Sequence, residues 1–154
     1  MTPYRLDSTS DFRPVLQLVQ DSFAYMDTRI DPPSSMHRLT VEDIRQQAVA
    51  GEVWVTGAPP VACMFLTNKG NCLYLGKLAV AAGHRGKGLA RQMVALAVAR
   101  ARALDLPAVE LQTRVELTEN HATFAALGFT ETGRTAHPGY DRYTSITFRL
   151  PVSG

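Results

Sequence analysis

The chain's 154 residues, 45% hydrophobic and 19% charged, suffice for a single packed domain over 1–154 and exclude a disordered tail. Its 16 Lys and Arg against 14 Asp and Glu leave a net charge of +2, too weak to name nucleic acid or an anionic membrane as partner. No apolar run reaches the roughly 18 residues of a membrane span, and Met1–Arg5 lacks the basic-then-apolar layout of a signal peptide, so a soluble cytoplasmic protein is expected. In chain order, Tyr4-Arg5-Leu6 opens as a short strand. Ser10 is placed to cap a helix running to about Tyr25, in which Val15, Leu16, Leu18, Val19, Phe23 and Met26 recur at helical spacing. Pro14 falls in the first turn, where a missing N–H costs least. A polar loop follows, and Thr40, with Asp43 three residues on, starts a second helix that ends near Gly51.

Three strands come next, Val53–Thr56, Val61–Thr67 and Leu73–Val80, joined by Gly57-Ala58-Pro59-Pro60 and Asn68-Lys69-Gly70-Asn71. Both connections are short enough for antiparallel hairpins. The third strand is apolar on both faces apart from Lys77, which predicts a central place in a sheet. Gly76 within it marks a bulge or a close backbone approach. In-register pairing would set Cys72 opposite Thr67 and Cys63 opposite Gly76, too far apart for a disulfide. Neither cysteine lies in a CxxC pair and the four histidines lack ligand spacing, so no metal is expected. Beyond Gly83-His84-Arg85-Gly86-Lys87-Gly88, a long helix runs from Leu89 to about Leu104, short of Pro107. Val109–Thr113 reads as a strand, and a short helix from Glu119 to Leu127 ends at Gly128. Thr130–Ala136 and Tyr143–Leu150 close the chain as strands around the loop His137–Arg142. That order of elements predicts an α/β architecture, a mixed sheet carrying helices.

The segment that carries chemistry is Arg85-Gly86-Lys87-Gly88-Leu89-Ala90, between a buried strand and a long helix. Its glycines let the backbone turn its N–H groups inward, the helix start adds partial positive charge, and Arg85 and Lys87 add cations. Such a turn suits a pyrophosphate, although an ordinary solvated turn has the same composition. The glycines at 83, 86 and 88 do not fit GxGxxG, and alanine stands where a P-loop needs its first glycine. Two hairpin turns before this strand also argue against a dinucleotide-binding unit.

Leu78-Ala79-Val80, four residues, then Arg85-x-x-Gly88-x-Ala90 resembles the R/Q-x-x-G-x-G/A motif of GNAT-superfamily, acyl-CoA-dependent N-acetyltransferases. Downstream, Glu119-Asn120, Phe124 and Leu127-Gly128-Phe129 are similar to a second pattern of that family, E-N-x-x-x-Y-x-x-L-G-F. The resemblance implies a mixed, mostly antiparallel, splayed sheet of about seven strands flanked by about four helices. It implies acetyl-CoA as co-substrate, in an opening between the strands at Leu73–Val80 and Val109–Thr113. By the same carry-over, Leu78, Ala79 and Val80 would pair with the pantetheine arm. Amides of Arg85, Gly86, Lys87, Gly88, Leu89 and Ala90 would hold the pyrophosphate, with Asn120 and Phe124 near the thioester.

The implied reaction moves an acetyl group to a primary amine of a small molecule or peptide by direct attack. A lysine-like amine with pKa about 10.4 is neutral in only ~1 part in 2,500 at pH 7, equivalent to roughly 4.6 kcal/mol. A base or water chain can relieve that, a backbone N–H around Lys77–Ala79 can hold the oxyanion, and an acid can meet the thiolate. The tyrosine that serves as acid in many relatives is Phe124 here, and the glutamate some carry early in the core strand is Tyr74. Tyr140, His137 and Tyr74 are the catalytic candidates, set against an ordinary His137-Pro138-Gly139 turn and a core role for Tyr74. Glu116 and Glu119 are distant bases through water, or Glu119 a first-turn helix charge. His121 reads as exposed. For the acceptor, Asp27 and Asp31 suit a cationic amine, and Arg29, Arg38 and His37 a carboxylate-bearing one. Because Phe124 cannot donate a proton, a catalytically inactive CoA-binding sensor or scaffold is the alternative. A homodimer is compatible with the sequence, which specifies none.

Overall fold

The computed structural model describes residues 2–24, 28–32 and 38–152. Its strands are β1 (Tyr4–Arg5), β2 (Glu52–Thr56), β3 (Ala62–Asn68), β4 (Leu73–Val80), β5 (Ala108–Arg114), β6 (Thr130–Thr135) and β7 (Ser145–Pro151). The helices are α1 (Arg13–Ala24), α2 (Val41–Ala50), α3 (Leu89–Ala103) and α4 (Thr118–Ala126), with a 3₁₀ turn at Ala82–His84. One seven-stranded sheet runs β1-β2-β3-β4-β5-β7-β6, antiparallel throughout except between β4 and β5. The expected mixed, mostly antiparallel α/β sheet with β4 at its centre is what forms.

Both faces of the central strands are covered, so their side chains alternate between two apolar layers rather than between core and water. On β3, Ala62, Met64 and Leu66 enter the layer beneath α3, with Met93 and Ala97. Cys63 and Phe65 enter the layer beneath α1 and α2, with Val15, Val19 and Ile44. β4 cannot keep that alternation along its length. Its register against β3 slips between Phe65↔Lys77 and Leu66↔Leu75, leaving Gly76 unpaired as a bulge. The extra residue flips the strand: Leu73 and Leu75 before it share a layer with Leu78 and Val80 after it, and Ala79 goes to the other layer.

Several details differ from the sequence reading. Ser10 does not cap α1; it closes a turn with Asp7, which donates its N–H to Ser10 Oγ at 3.0 Å. The helix begins at Arg13, where Asp11 Oδ1 accepts the backbone N–H at 3.1 Å and the buried Phe12 ring anchors the entry. The β3–β4 hairpin pairs Thr67 with Tyr74 and Cys63 with Ala79, because the turn extends to Cys72, whose carbonyl accepts the Lys69 N–H at 3.0 Å. Both cysteines are buried free thiols. At Thr40 the loose capping box is a full one: Thr40 Oγ1 accepts from Asp43 N at 3.1 Å and Asp43 Oδ2 from Thr40 N at 2.9 Å. Among the described residues no helix is long and apolar enough to cross a membrane, and no three metal-ligating side chains converge.

Candidate active site

β4 and β5 pair through only Leu73↔Val109 and Tyr74↔Glu110, then separate. The separation has a local cause on each side. The Gly76 bulge bends β4 immediately after its last pair, while β5 stays with β7 along its whole length, from Ala108↔Pro151 to Arg114↔Ser145. From Leu75 onward, the edge of β4 facing β5 has no strand partner. A parallel pair that opens into a wedge exposes main-chain donors and acceptors, and an extended ligand can take them as a missing strand would.

Two cavities occupy the wedge. One, of about 470 Å³, lies against the start of α3 and is lined by Val80, Arg85, Gly86, Gly88, Leu89 and Ala90, among others. The second, of about 320 Å³, lies between β4 and β5, with Tyr74, Thr113, Arg114, Leu117 and His137 in its wall. They meet at Phe23, Leu78, Asn120 and Phe124, which line both. The wedge therefore joins an end that carries Arg85 and Arg91 beside the α3 amides to an end between the two strands, through one shared waist.

At the α3 end, Gly86 and Gly88 take left-handed φ of +78° and +79°, and a Cβ at either would meet nothing within 4 Å. These conformations suit glycine, and they turn successive amides toward one side of the loop. α3 has no side-chain cap and no acidic residue in its first turn; its first helical bond runs from Gln92 N to the Gly88 carbonyl at 3.0 Å. The amides ahead of Gln92 thus have no partner within the helix. Arg85 and Arg91 stand beside them in the cavity wall, whereas Lys87, one of the predicted cradle residues, is exposed and outside it.

The candidate catalytic side chains divide. Tyr74 lines the cavity between β4 and β5, and burial, then the neighbouring Cys72, pushes its phenol up, so the proton stays on. His137 also lines it; burial first, then the Arg114 charge, holds its imidazole below the ordinary 6.5. Its Nδ1 contacts Thr144 Oγ1, which also accepts the His137 backbone N–H at 2.9 Å. Tyr140 is outside both walls. Its hydroxyl donates to Asp31 Oδ1 at 2.7 Å, and that bond first of all pushes its phenol up.

The predicted distant bases are engaged too. Glu119 takes a two-point grip from Arg29, with Nη2 to Oε2 at 2.8 Å, and the Arg29 hydrogen bond brings its carboxyl down to about 2. Glu116 Oε2 accepts the Asp31 N–H at 3.0 Å. His121 is not simply exposed: its Nε2–H donates to the Arg114 carbonyl at 2.9 Å and its ring lies 6.0 Å from Phe148. Asp27 and His37 lie outside the described residues, as does Met26. Arg114, Thr113 and Phe23 are site residues that sequence reasoning passed over. The signal for Arg114 was present, in a strand that alternates Val109, Leu111, Thr113 with Glu110, Gln112, Arg114 and ends at the wedge.

The fold is shared with many solved structures. A protein from Streptococcus mutans UA159, smu.2055, superposes with a TM-score of 0.80 at 15% identity, covering 99% of this chain and 100% of that one. The ribosomal-protein-S18-alanine N-acetyltransferase of Escherichia coli gives 0.71 at 19% identity, covering 99% and 94%. A GNAT family acetyltransferase from Elizabethkingia anophelis with acetyl-CoA bound gives 0.69 at 15% identity, covering 97% of each. No curated protein matches the chain in sequence. The model of the Acetyltransferase (GNAT) family matches residues 7–129, and the chain belongs to that family.

Proposed function

We propose that the protein transfers the acetyl group of acetyl-CoA to a primary amine. The observation that carries this reading is the wedge: β4 loses its parallel neighbour after Tyr74, and the uncapped amides of α3 lie at the mouth of the gap. A pantetheine arm is extended and amide-bearing, and it suits the unpaired edge of β4 at Leu78, Ala79 and Val80. The diphosphate suits the amides from Arg85, Gly86 and Gly88 to Leu89 and Ala90, where the helix field and nearby guanidinium groups both favour anions. Lys87 contributes at longer range. The thioester then falls at the waist, beside Asn120 and Phe124, with the acceptor entering from the His137 side. The Escherichia coli neighbour is an alanine N-acetyltransferase, and an amine acceptor here is consistent with that.

In this reading the amine nitrogen attacks the thioester carbonyl, the C–N bond forms, and the oxygen carries the negative charge until the C–S bond breaks. A main-chain N–H near Lys77–Ala79 holds that oxygen. Thr144 Oγ1 lies 3.4 Å from the Thr135 carbonyl, which only accepts, so the hydroxyl proton goes there. His137 Nδ1 then donates to Thr144, and Nε2 keeps the lone pair that removes the ammonium proton. Tyr74, held protonated by burial, donates to the departing thiolate. Phe124 leaves that role vacant at the waist. It packs edge-on to Phe129 with centroids 5.8 Å apart, which gives it a packing role and favours a second reading, a CoA-binding module without catalysis.

The test is release of free CoA thiol from acetyl-CoA across amines, amino acids, aminoglycosides and peptides. Amine-dependent release supports the transferase. Tight acetyl-CoA binding with no release above hydrolysis supports the module. A Tm raised by NADH and not by acetyl-CoA would overturn both.

A further inference from the structure

Residues 29–31 are clamped onto the stretch from β5 into α4 on both sides of one side chain. Arg29 donates through Nη2 to Glu119 Oε2 at 2.8 Å, and the Asp31 N–H donates to Glu116 Oε2 at 3.0 Å. Ile30 lies between the two clamps on one segment of chain, and Leu117 lies between them on the other. Asp31 is tied again from the loop between β6 and β7, by the Tyr140 hydroxyl on Oδ1 at 2.7 Å and by Arg142 Nη2 on its carbonyl at 2.9 Å. Arg29 and Asp31 are exposed, whereas Ile30 turns inward and is buried against Leu117. Neither Ile30 nor Leu117 belongs to the two apolar layers of the sheet; with Phe23 packed against them they form a separate, small cluster. All three line the cavity between β4 and β5, and of the three only Phe23 also reaches the α3-side cavity, at the waist.

With the thioester at the waist, the group carried by the attacking nitrogen enters the space that Ile30 and Leu117 close. We infer that Ile30, held against Leu117 by the two clamps, sets the length of apolar group that an acceptor amine can carry. The inference rests on the amine-acetylating reading above and deepens it. Hydrocarbon side chains offer a polar group no partner, and burying one unpaired is costly, so the part of the acceptor that meets them is apolar. The clamps give the limit its sharpness. A side chain on an untied segment yields to one extra carbon. Here the residues on both sides of Ile30 are bonded to other elements, and overpacking against a wall that cannot give is unfavourable.

The experiment uses conjugates of CoA whose sulfur carries –CH2–CO–NH–R, with R a linear alkyl group from methyl to octyl, so that acetyl and acceptor sit in one molecule. Calorimetry on the full chain reads their affinity relative to CoA. In the parent, affinity should climb about fourfold per methylene up to a break and then fall. Ile30→Ala, shorter by about three carbons, should move the break to longer R by about that much, and the milder Ile30→Val by about one. Ile30→Phe should move it to shorter R. CoA alone should bind the parent and all variants alike, which reports that the fold and the cradle are intact. A break at the same length in every protein overturns the inference. So do affinities that ignore R, or a limit that moves for acyl-CoAs of growing chain length and not for the conjugates. Thiol release from acetyl-CoA by the matching alkylamines is read in parallel. A break that moves with Ile30 while no amine releases thiol sinks the transferase and leaves the gauge standing; release with an unmoved break does the reverse.

Discussion

The Tyr140 hydroxyl donates to Asp31 Oδ1 at 2.7 Å across 109 positions of sequence, and this bond is one of several that strap residues 28–32 beside the cavity between β4 and β5. Arg142 Nη2 donates to the Asp31 carbonyl at 2.9 Å, Arg114 Nη1 to the Pro32 carbonyl at 2.6 Å, and Arg29 grips Glu119 on α4. The Arg142 guanidinium also lies over the Tyr140 ring, 5.4 Å from its centroid. In the proposed reaction Tyr140 would position this strap. Tyr140→Phe removes one charge-assisted bond at an exposed site, worth about 1 kcal/mol, and should raise KM for the amine roughly fivefold. Steady-state kinetics should show kcat within about twofold and an unchanged pH profile. A hundredfold fall in kcat at constant KM would make Tyr140 the acid instead.

Two glycines allow the anion cradle to be tested against its own control. Gly88 and Gly139 have φ of +79° and +86°, and neither has an atom within 4 Å of where a Cβ would stand. Substitution by alanine carries the same backbone penalty at each, about 1–2 kcal/mol. Only Gly88 belongs to the turn ahead of α3. Calorimetry should therefore show acetyl-CoA affinity reduced about tenfold or more in Gly88→Ala and unchanged in Gly139→Ala, at matched losses of Tm. Equal affinities in the two variants would remove the cradle.

Tyr74 stands on the last pair before the wedge, its ring 3.5 Å from where a Gly76 Cβ would be. Its raised phenol pKa keeps it a donor through neutral pH. Tyr74→Phe preserves the ring and its packing and removes the donor alone. Because a thiolate leaves readily, with a thiol-like pKa near 8.5, the expected loss is at the low end of acid catalysis, about a hundredfold in kcat. Acetyl-CoA affinity should not move. A variant with unaltered kcat would return Tyr74 to the core.

What the sequence made legible follows from short-range chemistry. Gly76 in an apolar run announced the bulge, the Arg85–Ala90 turn announced left-handed backbone before a helix, and Thr40 with Asp43 announced a cap, since each signal is written within a few residues. The acceptor side is built the other way. Arg29 meets Glu119 across 90 positions, Arg114 meets Pro32 across 82, and Asp31 meets Arg142 across 111. No local pattern ties those residues together; only the order of the sheet, with β7 inserted between β5 and β6, brings their loops to one place. The same reason left Arg114 unnoticed and left Asp31 open as an attractor of cations, when its charge is already answered by Arg142. The Cys63 register failed for two smaller causes, a turn that extends to Cys72 and a bulge whose place the alternation alone does not give.

In the proposed reaction, His137 as the base predicts an acid limb in the pH profile. Burial and the Arg114 charge hold its imidazole below 6.5, so at neutral pH it is unprotonated and competent as a base. The rate should fall as pH drops through that lowered value, and kcat/KM should therefore stay flat from neutrality to below pH 6.5 before declining. His137→Gln should lower kcat about a hundredfold or more and abolish the inflection. An unchanged profile in the variant would assign the Thr144 contact a purely structural role.

The ion pair between Glu52 on β2 and Arg100 on α3 makes the sharpest prediction about stability. Arg100 donates through Nε and Nη2 to the two carboxylate oxygens, both at 2.8 Å, and the Trp54 indole N–H adds a third bond at 2.8 Å. The Glu52 side chain is 8% exposed and that of Arg100 26%. Burial pushes the Glu52 carboxyl up, and the Arg100 and Trp54 bonds, with the charges of Arg100 and Arg5, outweigh it, leaving it below 4.5. A lowered carboxyl stabilises the fold fully above the unfolded value, near 4.3, and that contribution is lost as pH falls through the lower folded value. Arg100→Leu leaves burial opposed only by the Trp54 bond and the Arg5 charge, at a cost of about 3 kcal/mol near pH 7. It also reverses the sign: with the folded carboxyl now raised, the variant should gain stability on acidification from pH 7 to 5, where the parent does not. Adding Glu52→Gln to Arg100→Leu should restore most of the loss and flatten that dependence, as urea unfolding at several pH values would show. A variant that loses stability in parallel with the parent as pH falls would place the Glu52 charge outside the energetics of the β2–α3 contact.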